Sequence, residues 1–405
     1  MTSTGLPDSL IATLPGTSYT DPGIFAQEQE RIFETMWFCV ARASELAKPG
    51  AFRTVDVGRE SILVARARDN GIRAWFNVCR HRGARICTEE SGEVKRAFQC
   101  PYHAWTYDLN GKLVAAPNLT KMPDVGRTEY GLVSVAVREW LGYVWVCLAE
   151  NPPSFEEDVI GEVVSRLGDV ESIDRYGIDN LQVGRRITYD VRANWKLIIE
   201  NFMECYHCAT IHPELTEVLP EFADGYAAQY YVGHGAEFGE DVQGFTVDGS
   251  EGLDRIPGVA EEQDRRYYAI TVKPQVFINL VPDHVIFHRM YPMAVDRTIV
   301  RGLGGGSRTR LPPPSPRRAL PARTGPHRLR GTRYETQRAA RTPLRELDEG
   351  ARLSRHRHAV RCGRAPRLGR GDGPPYPGPR LQSPDDRRHP LRPDPGRGHR
   401  AGASA

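Results

Sequence analysis

Between residues 36 and 150 the apolar positions come in short runs: FRTVDV, SILVARA, AWFNV, LVSVAVREW and GYVWVCLA. Some alternate with polar positions and some run continuously, and glycines and charged turns separate them. That pattern predicts short β-strands, so 36–150 reads as an all-β domain. Upstream, 1–35 reads as an N-terminal arm. Its helix is predicted to start at Asp21-Pro22 and run past Phe25, Glu28, Ile32 and Phe33, packing on the first domain or across a subunit boundary. Residues 151–180, opening on Asn151-Pro152-Pro153, form a linker with a helix. A second domain is expected over 181–301, beginning at the strand QVGRRITYDV. Within it, Asn194 is a predicted N-cap for a helix through Leu197, Ile198, Phe202 and Cys205. The runs YYAITVKPQVFINLVP and HVIFHRMYPMAV read as strands. The fold class is α+β.

After Arg301 the pattern stops. Residues 301–405 hold 25 Arg, 16 Pro, eight acids and no Lys, Ile, Phe, Trp, Asn or Met. The rest of the chain is acidic, with 29 basic against 43 acidic residues. With no hydrophobic periodicity, 302–405 has no core to form and reads as a disordered tail. A basic tail suggests an anionic partner, but a specific nucleic-acid role is not expected here. The amino terminus shows no cationic leader, and no run approaches the roughly 18–20 apolar residues of a membrane helix. A cytoplasmic protein without a membrane role is therefore expected. Six cysteines, Cys39, Cys87, Cys147, Cys205, Cys208 and Cys362, show no disulfide framework and are expected as free thiols.

The other two cysteines belong to a constellation. Cys79-x-His81 and Cys100-x-x-His103 are separated by 18 residues. Each loop offers one thiolate and one imidazole, whereas zinc fingers usually pair Cys with Cys and His with His. The mixed set suits a [2Fe–2S] cluster with two cysteines on one iron and two histidines on the other, a high-potential centre. A zinc site and unliganded core residues are the alternatives. Asn110-Gly111 beyond it reads as a tight hairpin turn.

A second constellation lies at NWKLIIENFMECYHCATIHPEL, residues 194–215. His207 and His212 are five apart, about 140° around an ideal helix, so a straight helix cannot aim both at one metal. The helix must break or carry a π-bulge near 208–211, and Pro213 supports a break. Two such histidines are two-thirds of a 2-His-1-carboxylate iron site. His284 and His288 share one face of a strand and are expected in structural or surface roles, as is His234 in a loop. Tyr206, Tyr226, Tyr230, Tyr231, Phe238 and Phe245 could cage a quaternary ammonium, though core packing is expected for most.

The two loops with the run CPYHAWTYDLNGKL resemble the Rieske domain. NWK, EN and E-x-Y-H-x4-H extend the resemblance, over about residues 15–300, to the catalytic α subunit of a Rieske non-haem iron oxygenase. It implies a Rieske domain followed by a helix-grip catalytic domain, a head-to-tail homotrimer, and a mononuclear Fe(II) that uses O2. Electrons would come from NAD(P)H through a separate reductase or ferredoxin; the chain has no dinucleotide-binding motif of its own. Glu204 matches the family's acid bridging the cluster histidine of one subunit to the iron histidine of the next. Trp195, Lys196, Glu200 and Asn201 belong to the same signature and are expected to support the fold. NFMECYHCATIHPEL most resembles the glycine betaine, stachydrine and choline branch, implying a small quaternary ammonium substrate hydroxylated or N-demethylated. Aromatic-ring dihydroxylation, and an electron carrier without oxygenase activity, are the other readings.

The resemblance implies a third iron ligand, an aspartate on a late helix, and no such motif is found. None of Glu335, Glu346, Asp348 and Asp372 sits in a recognisable motif. The residue types absent from the tail are mostly those with AT-rich codons. Gly302–Ser307 is codon-compatible, one base out of register, with the Asp-Trp-x-x-Asp-Pro that the family carries there. The tail is therefore expected to be frameshifted, and the chain as written to bind iron weakly and turn over little.

Overall fold

In the computed structural model the structure describes residues 13–117, 119–121, 126–224 and 232–306. The short apolar runs of the first domain pair as an antiparallel seven-stranded sheet. Its order is Phe38–Arg42, Tyr143–Cys147, Ser134–Trp140, Ile72–Phe76, Glu60–Arg66, Ala51–Val57 and Ser91–Glu93. A smaller three-stranded sheet, Ala97–Gln99, Thr106–Asp108 and Leu113–Ala115, carries the second cysteine loop at its edge. Its turn falls where Asn110-Gly111 predicts it. Gly111 has φ +78° and lies under Trp75, where a Cβ would come within 2.3 Å of the indole nitrogen, so only glycine fits.

The second domain is a six-stranded antiparallel sheet ordered Gln182–Val191, Arg297–Gly306, His284–Ala294, Val276–Leu280, Arg266–Val272 and Ala236–Glu237. Strand alternation gives it two apolar faces. Val276, Ile278 and Leu280 join a core shared with Trp37, Tyr143 and Trp145 of the first domain. Tyr143 stacks on Phe287 with centroids 3.7 Å apart. Phe277 turns the other way and stacks on Phe202 of the helix Trp195–Met203, at 4.0 Å. The site helix thus lies on one face of the sheet and the first domain on the other. The linker helix Gly161–Leu167 is no loose tether, because Val163 and Leu167 enter the shared core.

The arm does more than cover the first domain. Asp21 caps the helix Pro22–Glu28 by accepting from the Gly23 and Ile24 amides, and a π-turn, Gln29–Phe33, continues it. Phe33 packs on Phe38 and also on Trp195. Buried Glu28 accepts from Trp195 Nε1 at 2.7 Å and from Lys196 Nζ at 2.5 Å. Tyr19 donates to Glu200 at 2.6 Å. The arm therefore fixes the start and outer edge of the site helix.

Candidate metal centres

The two cysteine loops close on themselves before they meet. In the first, the Cys79 amide donates to Ala84 O and the Gly83 amide to Cys79 O. In the second, Cys100 N bonds Trp105 O and Ala104 N bonds Cys100 O, with Ala104 at φ +59°. Cys79 and Cys100 are each 2% exposed, while His81 and His103 stand at the surface. The His81 and His103 Nδ1 atoms face each other at 3.1 Å. His81 stacks on Trp105 with 12° between planes. Tyr107 OH lies 3.3 Å from Cys79 Sγ and accepts from the Arg80 amide. Burial pushes the Cys100 thiol up, as expected of a sulfur with no cation beside it. Desolvation, then the charges of His103 and Arg82, lower His81 below its ordinary value, the direction a metal-binding imidazole needs.

All four ligands predicted for the cluster are thus brought together, thiols inward and imidazoles outward. Two buried sulfurs outside any disulfide and two facing ring nitrogens fit a group with a sulfur-held end inside and a nitrogen-held end at the surface. Among the described residues no three His, Cys, Asp or Glu side chains could hold a single ion.

The second site hangs from the end of the site helix. Asn194 caps it by accepting from the Lys196 amide and donates to Val295 O. The helix ends at Met203, short of the expected Cys205. Glu204 is extended, His207 caps the short helix Cys208–Ile211, and His212 (φ −126°, ψ 56°) separates it from Pro213–Val218. The predicted interruption is therefore real, but it takes the form of two breaks flanking 208–211, with no π-bulge within it. They bring the two imidazoles to 5.3 Å between centroids. Both line a cavity of about 200 Å³ with Asn201, Phe202, Leu215 and Tyr267.

Glu204 Oε1 bonds His207 Nδ1 at 2.6 Å, and Oε2 accepts from the Tyr206 amide at 2.5 Å. With Nδ1 occupied, His207 keeps Nε2 for a metal, the arrangement by which a carboxylate orients an imidazole ligand. Partial burial opposes ionisation of Glu204, but the bonds from His207 and Tyr206 outweigh it and hold its pKa below the ordinary value. The donor set fits a metal held by two imidazoles; among the described residues, with Cys205 and Cys208 tied in a disulfide, no third protein ligand reaches it.

Residues 36–130 match the Rieske [2Fe-2S] domain family, and residues 178–303 match the ring hydroxylating alpha subunit (catalytic domain) family. The chain is 31% identical over 320 residues to the glycine betaine monooxygenase oxygenase subunit of Pseudomonas aeruginosa, covering 71% of this chain and 72% of that one. The chain belongs to the Rieske oxygenases. It is also 38% identical over 201 residues to the carnitine monooxygenase oxygenase subunit of Acinetobacter pittii, covering 50% and 53% of the two chains. The crystal structure of the quaternary ammonium Rieske monooxygenase CntA with L-carnitine superposes with a TM-score of 0.54 at 27% identity, covering 74% of this chain and 77% of that one. As a Rieske oxygenase the chain is the oxygenase component of an O2-using oxidoreductase, and the family implies a [2Fe–2S] cluster and a mononuclear iron.

One expectation for this Rieske oxygenase is overturned. Cys205 and Cys208 are not free thiols but a disulfide, while Cys39 and Cys147 remain buried thiols. The break after Met203 brings their Cα atoms to 5.0 Å, inside the span a disulfide bridges. A Cys-x-x-Cys spacing is a redox signal, and it is visible in the sequence. Tyr19 and Glu28 carried no such signal. His284 is held by Asp283 at 2.7 Å and His234 by Glu221 at 2.8 Å, structural pairings as expected. Phe238 and Phe245 pack in the core beside Tyr267, and Tyr206 is 89% exposed. Tyr226, Tyr230, Tyr231, Cys362 and the tail acids lie outside the described residues. No helix among the described residues is long and apolar enough to cross a membrane.

Proposed function

We propose that the chain is the terminal oxygenase for a small quaternary ammonium compound, of the glycine betaine or carnitine type, which it hydroxylates or N-demethylates. The observation that carries this is the 31% identity to a glycine betaine monooxygenase oxygenase subunit over 320 residues. Cys79, His81, Cys100 and His103 hold the cluster, whose chemistry is one-electron transfer from a separate reductase or ferredoxin. His207 and His212 hold the iron, which supplies O2 activation. Glu204 orients His207 and, with its outer lone pairs, accepts from His103 of a neighbouring subunit in a homotrimer. Exposed Tyr102, packed on His103 at 3.7 Å between centroids, and exposed Tyr206 beside Glu204 support this reading, since each leaves an aromatic ring at the surface beside one half of the pair.

The carboxylate ligand is missing because the frame changes near residue 302. The catalytic-domain match ends at 303, inside the strand Arg297–Gly306 and two residues past the point where the composition changes. Resequencing the gene across codons 295–310 tests this, and an intact frame sinks it. Substrate class is tested with frame-corrected protein by following O2 uptake. Glycine betaine is expected to stimulate uptake and benzoate to leave it at background; the reverse result favours a ring-hydroxylating enzyme.

A further inference from the structure

The Cys205–Cys208 disulfide does not lie on the surface away from the chemistry. Both sulfurs belong to residues that line the cavity of His207 and His212, and the two cysteines are 8% and 2% exposed. Cys208 Sγ lies 4.0 Å from His207 Nε2, the nitrogen that the Glu204 bond leaves free. A cation held by one imidazole and one thiolate at ordinary bond lengths separates their donor atoms by roughly 3.6 Å on a tetrahedral centre. Two imidazoles on such a centre have ring centroids roughly 5.2 Å apart, against 5.3 Å observed. Within eight residues, Cys205, His207, Cys208 and His212 therefore supply two sulfurs and two nitrogens around one small cavity.

We propose that reduction of this disulfide creates a tetrahedral site of Cys205, His207, Cys208 and His212 for a thiolate-preferring divalent cation of the zinc type. The inference rests on the reading of His207 and His212 as metal ligands. In the disulfide form the sulfurs are not ligands, and the imidazoles are left to the iron. In the dithiol form two soft thiolates favour a tetrahedral S2N2 set, and the cation competes with iron for the same histidines. The reductant is a phosphine: the S–S bond takes two electrons and two protons, and the phosphine takes the oxygen of one water to become its oxide. Binding of the cation then displaces the two thiol protons. The sulfurs must part to roughly 3.8 Å across the metal. They sit on either side of a helix break, where Glu204 is extended and Cys208 opens a four-residue helix.

Cobalt(II) is the probe, because thiolate ligation gives an intense near-ultraviolet charge-transfer band that imidazole alone does not. The full chain, with its cluster loaded and the second site stripped by a chelator, is treated with phosphine and titrated with Co2+. One Co2+ per chain with the band is expected, against no band before reduction. The band is expected to vanish in Cys205→Ser/Cys208→Ser and to fall at least tenfold in His207→Ala. Cluster absorbance in these two variants, and circular dichroism in the cluster-ligand variant that follows, report that the chain is folded. The band is expected to persist in Cys79→Ser/Cys100→Ser, which excludes capture by the cluster loops. Cobalt bound through His207 and His212 without the band overturns the proposal and leaves the two-histidine iron site standing. No cobalt bound by the reduced chain, with Fe(II) bound normally, also overturns it. Failure to hold cobalt in the reduced chain together with failure to hold Fe(II) in the frame-corrected chain counts against both readings.

Discussion

Single side chains decide what each site can do. Glu204 is the clearest case, since one oxygen fixes the His207 tautomer and the other is tied to the Tyr206 amide. Glu204→Gln keeps the shape and removes the charge. In frame-corrected protein it is expected to leave the cluster spectrum unchanged and to slow substrate-dependent reoxidation of the reduced cluster about 10- to 100-fold, the usual size of such second-layer losses. An unchanged rate in stopped-flow measurements would remove Glu204 from the electron path. Asp283 is a structural counterpart, buried and bonded to His284 and to the Leu253 amide. Burial raises its pKa, but the His284 and Leu253 bonds outweigh it and leave the folded value depressed. A depressed carboxylate contributes stability above its unfolded pKa, about 3.9, and loses it as pH falls through the folded value. Asp283→Asn is therefore expected to cost about 1–3 kcal/mol at pH 7, with the deficit shrinking below about pH 4. Urea melts at both pH values check this.

Among the elements, the site helix matters most, and its stability is not its own. Nine residues make a marginal helix in isolation. Its position comes from the Asn194 cap, the Phe202–Phe277 stack and the arm. Glu28 and Lys196 are each only 11% exposed in their side chains, so removing one partner strands a buried charge. In frame-corrected protein Glu28→Ala is expected to destabilise the chain by about 3 kcal/mol and to lower metal retention at His207 and His212 without bleaching the cluster. A cluster lost in step with the second metal would show instead that the arm supports the whole chain. The sequence marked Trp195, Lys196 and Glu200 as fold-supporting, and the structure supplies their partners. It could not mark Glu28 or Tyr19, because a lone acid on an amphipathic arm looks like any solvated residue.

At the scale of the whole molecule, the two larger sheets share one core through Tyr143, Trp145, Ile278 and Phe287. The cluster tip and the histidine cavity are therefore held by one body rather than by two domains on a tether. Purified as written, the chain is expected to carry two irons, both in the cluster, and a third only after the frame is restored. Metal analysis beside electron paramagnetic resonance of the reduced protein checks the count, and a near-complete third iron in the chain as written contradicts the missing-ligand reading. Sedimentation is expected to give three chains per particle for the corrected protein.

The sequence alone determined the ligand chemistry and most of the strands. Both are local: Cys-x-His and Cys-x-x-His fix loop length and donor type, and short apolar runs bounded by turn residues give strands whatever lies beyond them. It also required an interruption between His207 and His212, since five helical residues rotate too far. Tertiary structure decided the rest. Where the interruption falls, the bond between Cys205 and Cys208, and the seating of Glu28 on Trp195 across 167 positions follow from packing between distant segments. Such pairings leave no period or spacing in the chain, because each partner's burial is set by neighbours that are remote in sequence.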